Sequence, residues 1–331
     1  WARAIVVAGS RTHKLAEKYF AASPLCARSI SVKRSVGVLL FALLIQCGIT
    51  AILFWPDQRA VNRPTNPTLT SFSSDEIDEI RIGDDFDNEV VLIRSSEQWL
   101  LPELGGLPAD AVKVRSLLQR ISAEQEAWPI AQSPAARQRF QVADYYYQRR
   151  LTLLSAGQAL DTLYLGTSPR YRKVHARNDR QDAIYSITLS AFETPATSGA
   201  WLEPRLLQVR APLRIDTDFY NLSFESGRWL SSTGREPNEM ELERLISALK
   251  SLQIDGIAGE DLQNELSAVE ADLVMAIQSP TGDITLKLIT VANEHFIYSS
   301  EYPIFFTLSA YDFDRLTGVD PRLISGERGG T

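Results

Sequence analysis

Asn88–Leu101 reads NEVVLIRSSEQWLL, and Asp218–Ser231 reads DFYNLSFESGRWLS. In each, an alternating apolar run meets a polar, serine-bearing turn and resumes at a tryptophan, Trp99 or Trp229. Period-two alternation on both sides of a short polar turn predicts a β-hairpin. Tyr220, Leu222 and Phe224 alternate with Asn221, Ser223 and Glu225, which points one face of the second hairpin to a core.

Outward from the hairpins the parallel continues. Pro108-Ala109-Asp110 opens a helix with Ala111, Val114, Leu118 and Ile121 along one stripe. Pro237-Asn238-Glu239 opens another, with Leu242, Leu245, Ile246, Leu249 and Leu252 on one face. Proline near the first helical position is an expected start signal, and spacings of three and four bury one side of each helix. The two stretches also end alike, as SITLSAF at Ser186–Phe192 and FFTLSAY at Phe305–Tyr311. Between helix and ending lie further strands: Leu151–Leu154, Leu160–Leu165 and Ala183–Ile187 in the first, and Leu273–Ile277, Ile284–Ile289 and His295–Tyr298 in the second. The tryptophans are 130 residues apart and the TLSA segments 119, so the second unit is about ten residues shorter. The expected fold class is α+β: two related modules of antiparallel strands, 75–210 and 211–320, each packed with a helix, and a C-terminal tail at 321–331.

Ahead of the modules, Val36–Trp55 reads VGVLLFALLIQCGITAILFW, 20 residues without a charge. At the rise of an α-helix that length spans about 30 Å, the thickness of a bilayer's hydrocarbon core. Lys33 and Arg34 precede it, Trp55 sits where an interfacial aromatic belongs, and Pro56 ends it. Trp55-Pro56-Asp57-Gln58 is a poor cleavage sequence, and Gln46 before Cys47 departs from a lipid-attachment signal, so 32–56 reads as an uncleaved transmembrane anchor. Arg28, Lys33 and Arg34 on one side against Arg59 and Arg63 on the other place the N-terminus in the cytoplasm and the modules in the periplasm. Residues 1–31 read as a cytoplasmic tail or as an over-extended start before Val32. Residues 57–74, with Pro56 just before and Pro64 and Pro67 within, read as a semi-rigid linker.

Charge is divided along the chain. Residues 1–56 hold seven Lys/Arg and one Glu, leaving 27 Lys/Arg and 40 Asp/Glu to residues 57–331. So acidic a body argues against nucleic-acid binding, which needs a basic face. Three histidines and two cysteines leave little for a metal site or a disulfide scaffold.

The search for chemistry returns no cofactor, metal or catalytic residue. Ser247-Ala248-Leu249-Lys250 matches a serine–lysine spacing but lies inside an amphipathic helix, without the companion tripeptides such chemistry needs. Asp84, Asp85, Asp87 and Glu89 lack the glycine and closing glutamate of a calcium loop. His175 and His295 read as ordinary strand residues, His175 at the surface beside solvated cations. Two stretches stand out as partner contacts: Tyr146 with Arg149, and the basic run with Arg170, Arg172, Lys173 and Arg177. Tyrosine and arginine are enriched at interfaces.

The anchor, DEIDEIRI at Asp75–Ile82, the strand leading to Trp99, the helix after Pro108-Ala109-Asp110, Leu163-Tyr164-Leu165-Gly166, and Trp201-Leu-Glu-Pro-Arg-Leu-Leu207 together resemble a membrane-anchored bacterial family catalogued as domain of unknown function 4340. That resemblance spans roughly residues 75–320 and implies association with gliding-motility-type ABC transporter components. The expectation is a non-enzymatic, single-pass accessory protein of the inner membrane whose partners are the lipid bilayer, through Val36–Trp55, and an ABC permease. A module presenting a lipid, glycan or peptide from a cleft between the two halves is the alternative, and an envelope hydrolase a third.

Overall fold

The computed structural model describes residue 37 and residues 41–47, 69–70, 72–122 and 128–327. The chain divides into two units, Trp1–Pro64 and Thr65–Thr331. Most of Val36–Trp55 lies outside the described residues. Within it, residues 41–47 are helical, with Phe41, Leu43, Leu44 and Ile45 exposed. Among the described residues no helix is long and apolar enough to cross a membrane.

The second unit is built on two antiparallel eight-stranded sheets. The first draws on β1 (Glu79–Asp84), β2 (Glu89–Ser95), β3 (Gln98–Leu101), β4 (Leu107–Pro108), and, beyond a two-stranded hairpin of β5 (Val142–Ala143) and β6 (Tyr146–Tyr147), β7 (Arg149–Ser155), β8 (Gln158–Leu165), β9 (Val174–Asn178) and β10 (Ile184–Ile187). Its order is β10-β9-β8-β7-β1-β2-β3-β4. The second draws on β11 (Arg214–Thr217), β12 (Asn221–Glu225), β13 (Arg228–Ser231), β14 (Ile254–Ile257), β15 (Leu273–Ser279), β16 (Gly282–Val291), β17 (Glu294–Ser299) and β18 (Phe305–Leu308). Its order is β13-β12-β11-β15-β16-β17-β18-β14.

One plan underlies both. A three-stranded meander (β1–β3, β11–β13) leads into a helix, Ala111–Ser122 or Glu239–Ser251. Four strands then return and pair beside the first strand of the meander, β7 on β1 and β15 on β11. A short segment after each helix pairs with the last strand: β14 with β18, and Ala131 with Ile184 in a single bridge. The tryptophan hairpins match position for position, with Arg94 opposite Trp99 and Phe224 opposite Trp229. Three two-residue turns take positive φ at both positions, Ala156-Gly157, Ser226-Gly227 and Ala292-Asn293. That backbone twist suits a tight hairpin.

The apolar helix faces are buried as their spacing predicts: Val114, Leu117, Leu118 and Ile121 in one, Leu245, Ala248 and Leu249 in the other. The prolines do not occupy the first helical position. Pro108 lies in β4 and Pro237 precedes the cap, and the capping is done by Asp110, which accepts from the backbone N–H of Val112 and Lys113, and by Asn238, which accepts from Met240 and Glu241. Of the alternating trio in the second hairpin, Tyr220 and Leu222 are buried but Phe224 is exposed and packs on Trp229 near the hairpin tip.

The TLSA segments have a common structural meaning. In each, the serine ends the last strand's extension and caps the next turn of helix. Ser190 accepts from the Phe192 backbone and forms a reciprocal box with Glu193, opening a short 3-10 turn; Ser309 accepts from the Asp312 backbone and opens the helix Ala310–Thr317.

Trp201–Val209 joins the halves. The Asp110 N–H donates to the Trp201 carbonyl and the Glu203 N–H to that of Pro108, while Ile254 donates to Pro204 and Val209 to Leu249. Trp201 is fully buried and its indole donates to Pro195. A single apolar cluster therefore runs from Ile80 and Leu92 in the first sheet to Leu288 and Phe306 in the second. It also includes Leu69 and Ile324, so the packed body extends to either side of 75–320.

Candidate docking surfaces

The two stretches singled out by sequence approach neighbouring residues, His175 of one packing on Phe140 and Tyr146 of the other bonding the Gln141 side chain. The Thr167 N–H donates to the Phe140 carbonyl, and the Gln141 side chain donates to the Tyr146 hydroxyl at 2.6 Å. Gly166, at the end of β8, permits this approach: a Cβ there would overlap the carbonyl oxygens of Phe140 and Gln141. Tyr146 and its neighbour Tyr145 are exposed. On the β8–β9 connection, Arg170 and Arg172 are exposed, Lys173 is half-buried, and the Arg172 guanidinium lies over the exposed Tyr171 ring at 5.4 Å.

Two of the named residues are engaged elsewhere. Arg149 is half-buried and donates to the Thr194 and Gln148 carbonyls. Arg177 is 4 % exposed, not part of a surface patch. It donates to the carbonyls of Val142, Asn178 and Gln181 and lies 4.9 Å from the Tyr164 ring centre. Burial lowers its pKa, as does the nearby charge of Arg137. His175 is likewise buried rather than at the surface. It packs on Phe140 at 4.2 Å, its Nδ1 sits 2.8 Å from the Thr167 hydroxyl, and burial lowers its pKa.

A second pair of surfaces comes from the repeat. In the first module, the helix Ala111–Ser122 and the turn after Ser190 enclose a groove of about 360 Å³ lined by Val112, Lys113, Leu117, Leu189 and Phe192. Val112 is 56 % exposed and Phe192 91 %. In the second module, Met240 lines a groove beside Arg244, Ser247 and Arg315, and Tyr311 lies over the Arg315 guanidinium at 5.3 Å. Met240 is 72 % exposed and Tyr311 69 %.

These four residues correspond. Val112 and Met240 each stand two residues after the helix cap, and Phe192 and Tyr311 each stand two after the TLSA serine. An arginine spans both grooves: Arg120 pairs with Glu193 at 3.1 Å, while Arg315 pairs with Asp312 and donates to the hydroxyls of Ser247 and Ser251. The signal was present in the sequence, because Val112 and Met240 fall off their helices' apolar stripes.

Neither the serine–lysine spacing nor the acidic cluster builds a reactive site. Ser247 and Lys250 are exposed on their helix, and Ser247 accepts from Arg315. The Asp84 carboxylate organises its own turn, accepting from the backbones of Phe86 and Asn88 and from the Asn88 side chain. Among the described residues no group of three or more His, Cys, Asp or Glu is placed to hold a metal ion.

No curated protein and no solved structure matches the chain. The sequence pattern of one family matches residues 99–272, just over half the chain. That span begins at the first hairpin's tryptophan and runs through the bridging Trp201 segment to the start of the second module's returning strands. The chain belongs to the family described as a domain of unknown function, DUF4340.

Proposed function

We propose that this chain is a non-enzymatic, single-pass accessory protein of the inner membrane that holds the permease of an ABC-type transport system through contacts outside the cytoplasm. The observation that carries this reading is the matched exposed pair, Val112 with Phe192 and Met240 with Tyr311. Isolated exposed apolar residues are ordinary on any surface. Recurrence of an aromatic and an aliphatic at the same two places in two diverged modules is not, because all four stand outside the core that the fold requires. Aromatic residues flanked by arginines are the usual anchors of protein interfaces.

Val36–Trp55 supplies the tether, with the N-terminus inside and the acidic body in the periplasm. Tethering raises the local concentration at the membrane, so two modest grooves suffice for stable engagement. The Tyr146, Arg170, Arg172 and Lys173 face adds a positive region on a negative body, suited to steering toward an acidic partner surface. Transport chemistry belongs to the partner in this account. Resemblance to a family associated with ABC components supports the choice of partner.

Replacing Phe192 and Tyr311 together by serine tests the proposal. The expected outcome is a folded full-length chain in native membranes whose recovery of an ABC permease falls by about tenfold or more, as for loss of interface anchors. Undiminished recovery would remove the grooves from the account.

A further inference from the structure

The first module exceeds the second at two connections. Residues 140–148 join the helix Pro134–Arg139 to β7, where 269–272 join the helix Glu260–Ala268 to β15. Residues 166–173 join β8 to β9, where the tight turn Ala292-Asn293 joins β16 to β17. The shared plan closes without this extra chain, and insertions in a repeat collect on loops of one face, often the binding face. The two insertions touch. The Thr167 N–H donates to the Phe140 carbonyl at 2.9 Å, and His175, just past the second insertion, packs on the Phe140 ring.

Their composition is distinctive. Together they hold Tyr145, Tyr146, Tyr147 and Tyr171 and the cations Arg170, Arg172 and Lys173, against one carboxylate, Asp144, which accepts from the Tyr145 backbone N–H. Arg139 adds a further cation, its guanidinium 5.5 Å from the Phe140 ring centre. Among the described residues none of these four cations pairs with a carboxylate. Tyr145 is 74 % exposed and Tyr171 85 %. On a body rich in Asp and Glu, the cluster is a local reversal of charge.

The turn that carries the arginines is fixed from within. Arg170 pairs with Lys173, and the Ser168 hydroxyl lies 2.8 Å from the Arg170 carbonyl and 2.5 Å from that of Lys173. Between them Arg172 takes a φ of +55°, a conformation that suits glycine. The position nonetheless carries an arginine, its guanidinium over the Tyr171 ring at 5.4 Å. Guanidinium forks presented on a fixed turn lose less freedom when they pair with carboxylates.

We propose that the two insertions form one docking face for an acidic segment of a protein partner, with Arg170 and Arg172 pairing its carboxylates and Tyr145 and Tyr171 packing on its chain. This rests on the reading that the chain works through protein contacts, and adds what the partner presents at this face. Charge complementarity selects an anion, and exposed tyrosine beside arginine is the make-up of protein interface anchors.

The test is a titration of the full chain, carrying carbon-13-labelled tyrosine, in phosphatidylcholine nanodiscs at about 0.15 M salt, where attraction between exposed charges is screened beyond about 8 Å. Hexaglutamate is the probe. The ring signals of Tyr145, Tyr146 and Tyr171 are expected to shift saturably, while Tyr311, also exposed but in the second module, stays in place. Arg172→Lys keeps the charge but loses the planar fork, and should weaken binding about fivefold. Arg170→Glu with Arg172→Glu should abolish it, with the signal of the buried Tyr185 ring unmoved to show an intact module. Absence of a saturable shift, an equal shift at Tyr311, or an Arg172→Lys chain that binds as well as the unsubstituted one would overturn the proposal. Equal or tighter binding of hexagalacturonate, or of an oligothymidylate with as many charges, would also overturn it, by assigning the face to a glycan, a nucleic acid or charge alone. Phe192→Ser should leave the titration unchanged, so loss of permease docking with hexaglutamate binding intact, or the reverse, tells the two readings apart.

Discussion

Lys113 and Glu241 occupy the same place in the two modules, three residues after the caps Asp110 and Asn238, and they carry opposite charge. Lys113 lies 4.8 Å over the Trp201 ring and donates to the Ala200 carbonyl. Glu241 is buried, pairs with Arg244 at 3.3 Å and accepts from the Asp320 backbone. Each braces its helix against chain beyond its module's TLSA serine. Burial lowers the Lys113 pKa and Asp110 works against that shift. The comparison teaches that the repeat preserves the position of a brace while its chemistry drifts. Phe192 and Tyr311 stay exposed and aromatic in both copies, as the proposed docking requires.

The comparison can be broken most severely at the joint between modules. Trp201→Ala leaves a large cavity where the halves meet and is expected to destabilise the chain by about 3–5 kcal/mol. Because the apolar cluster is continuous, urea unfolding should remain one transition at a lower midpoint. Two separated transitions would show that the modules are thermodynamically independent and only look like one body.

A smaller perturbation asks whether the copies are energetically equivalent. Asp110→Ala and Asn238→Ala each remove a cap of the same geometry, and each should lower stability by about 1 kcal/mol. The sites lie in different modules without shared partners, so the double variant should lose about the sum. A large inequality would mean that one helix is held chiefly by its cap and the other by its packing.

The smallest effect separates the modules by pH. His175 is buried and its pKa is lowered by that burial, opposed by a hydrogen bond with Thr167. The unfolded chain therefore takes up this proton at higher pH than the folded chain. The contribution to stability is intact above the unfolded value of about 6.5 and is lost as pH falls below it toward the folded pKa. His175→Gln should flatten that part of the stability loss between pH 7 and pH 5, read from urea midpoints. An unchanged slope would assign the acid sensitivity to other groups.

These outcomes also mark what a sequence can disclose. The hairpins at Trp99 and Trp229, the helix stripes and the returning strands were legible because period-two and period-3.6 patterns reflect one buried face. The shared TLSA was legible as a repeat, but its role as strand end plus helix cap emerges only when Ser190 and Ser309 are seen accepting from backbone N–H groups. Strand β9 resists such reading for a physical reason. It buries His175, Arg177 and Asn178, polar residues that ordinarily face water. Their compensation is remote: Arg177 donates to Val142, 35 positions away, and Asn178 to Leu69, 109 away. No local pattern encodes such partners. Phe224 departs from expectation differently, since alternation near a hairpin tip outruns the core it points toward.

The most direct test of docking through matched grooves is photocrosslinking in native membranes. A photoreactive residue is placed singly at Phe192 and at Tyr311, and the adducts are identified by mass spectrometry. The account predicts the same ABC permease captured from both positions. Adducts with no permease from either position, alongside an intact folded chain, would contradict it.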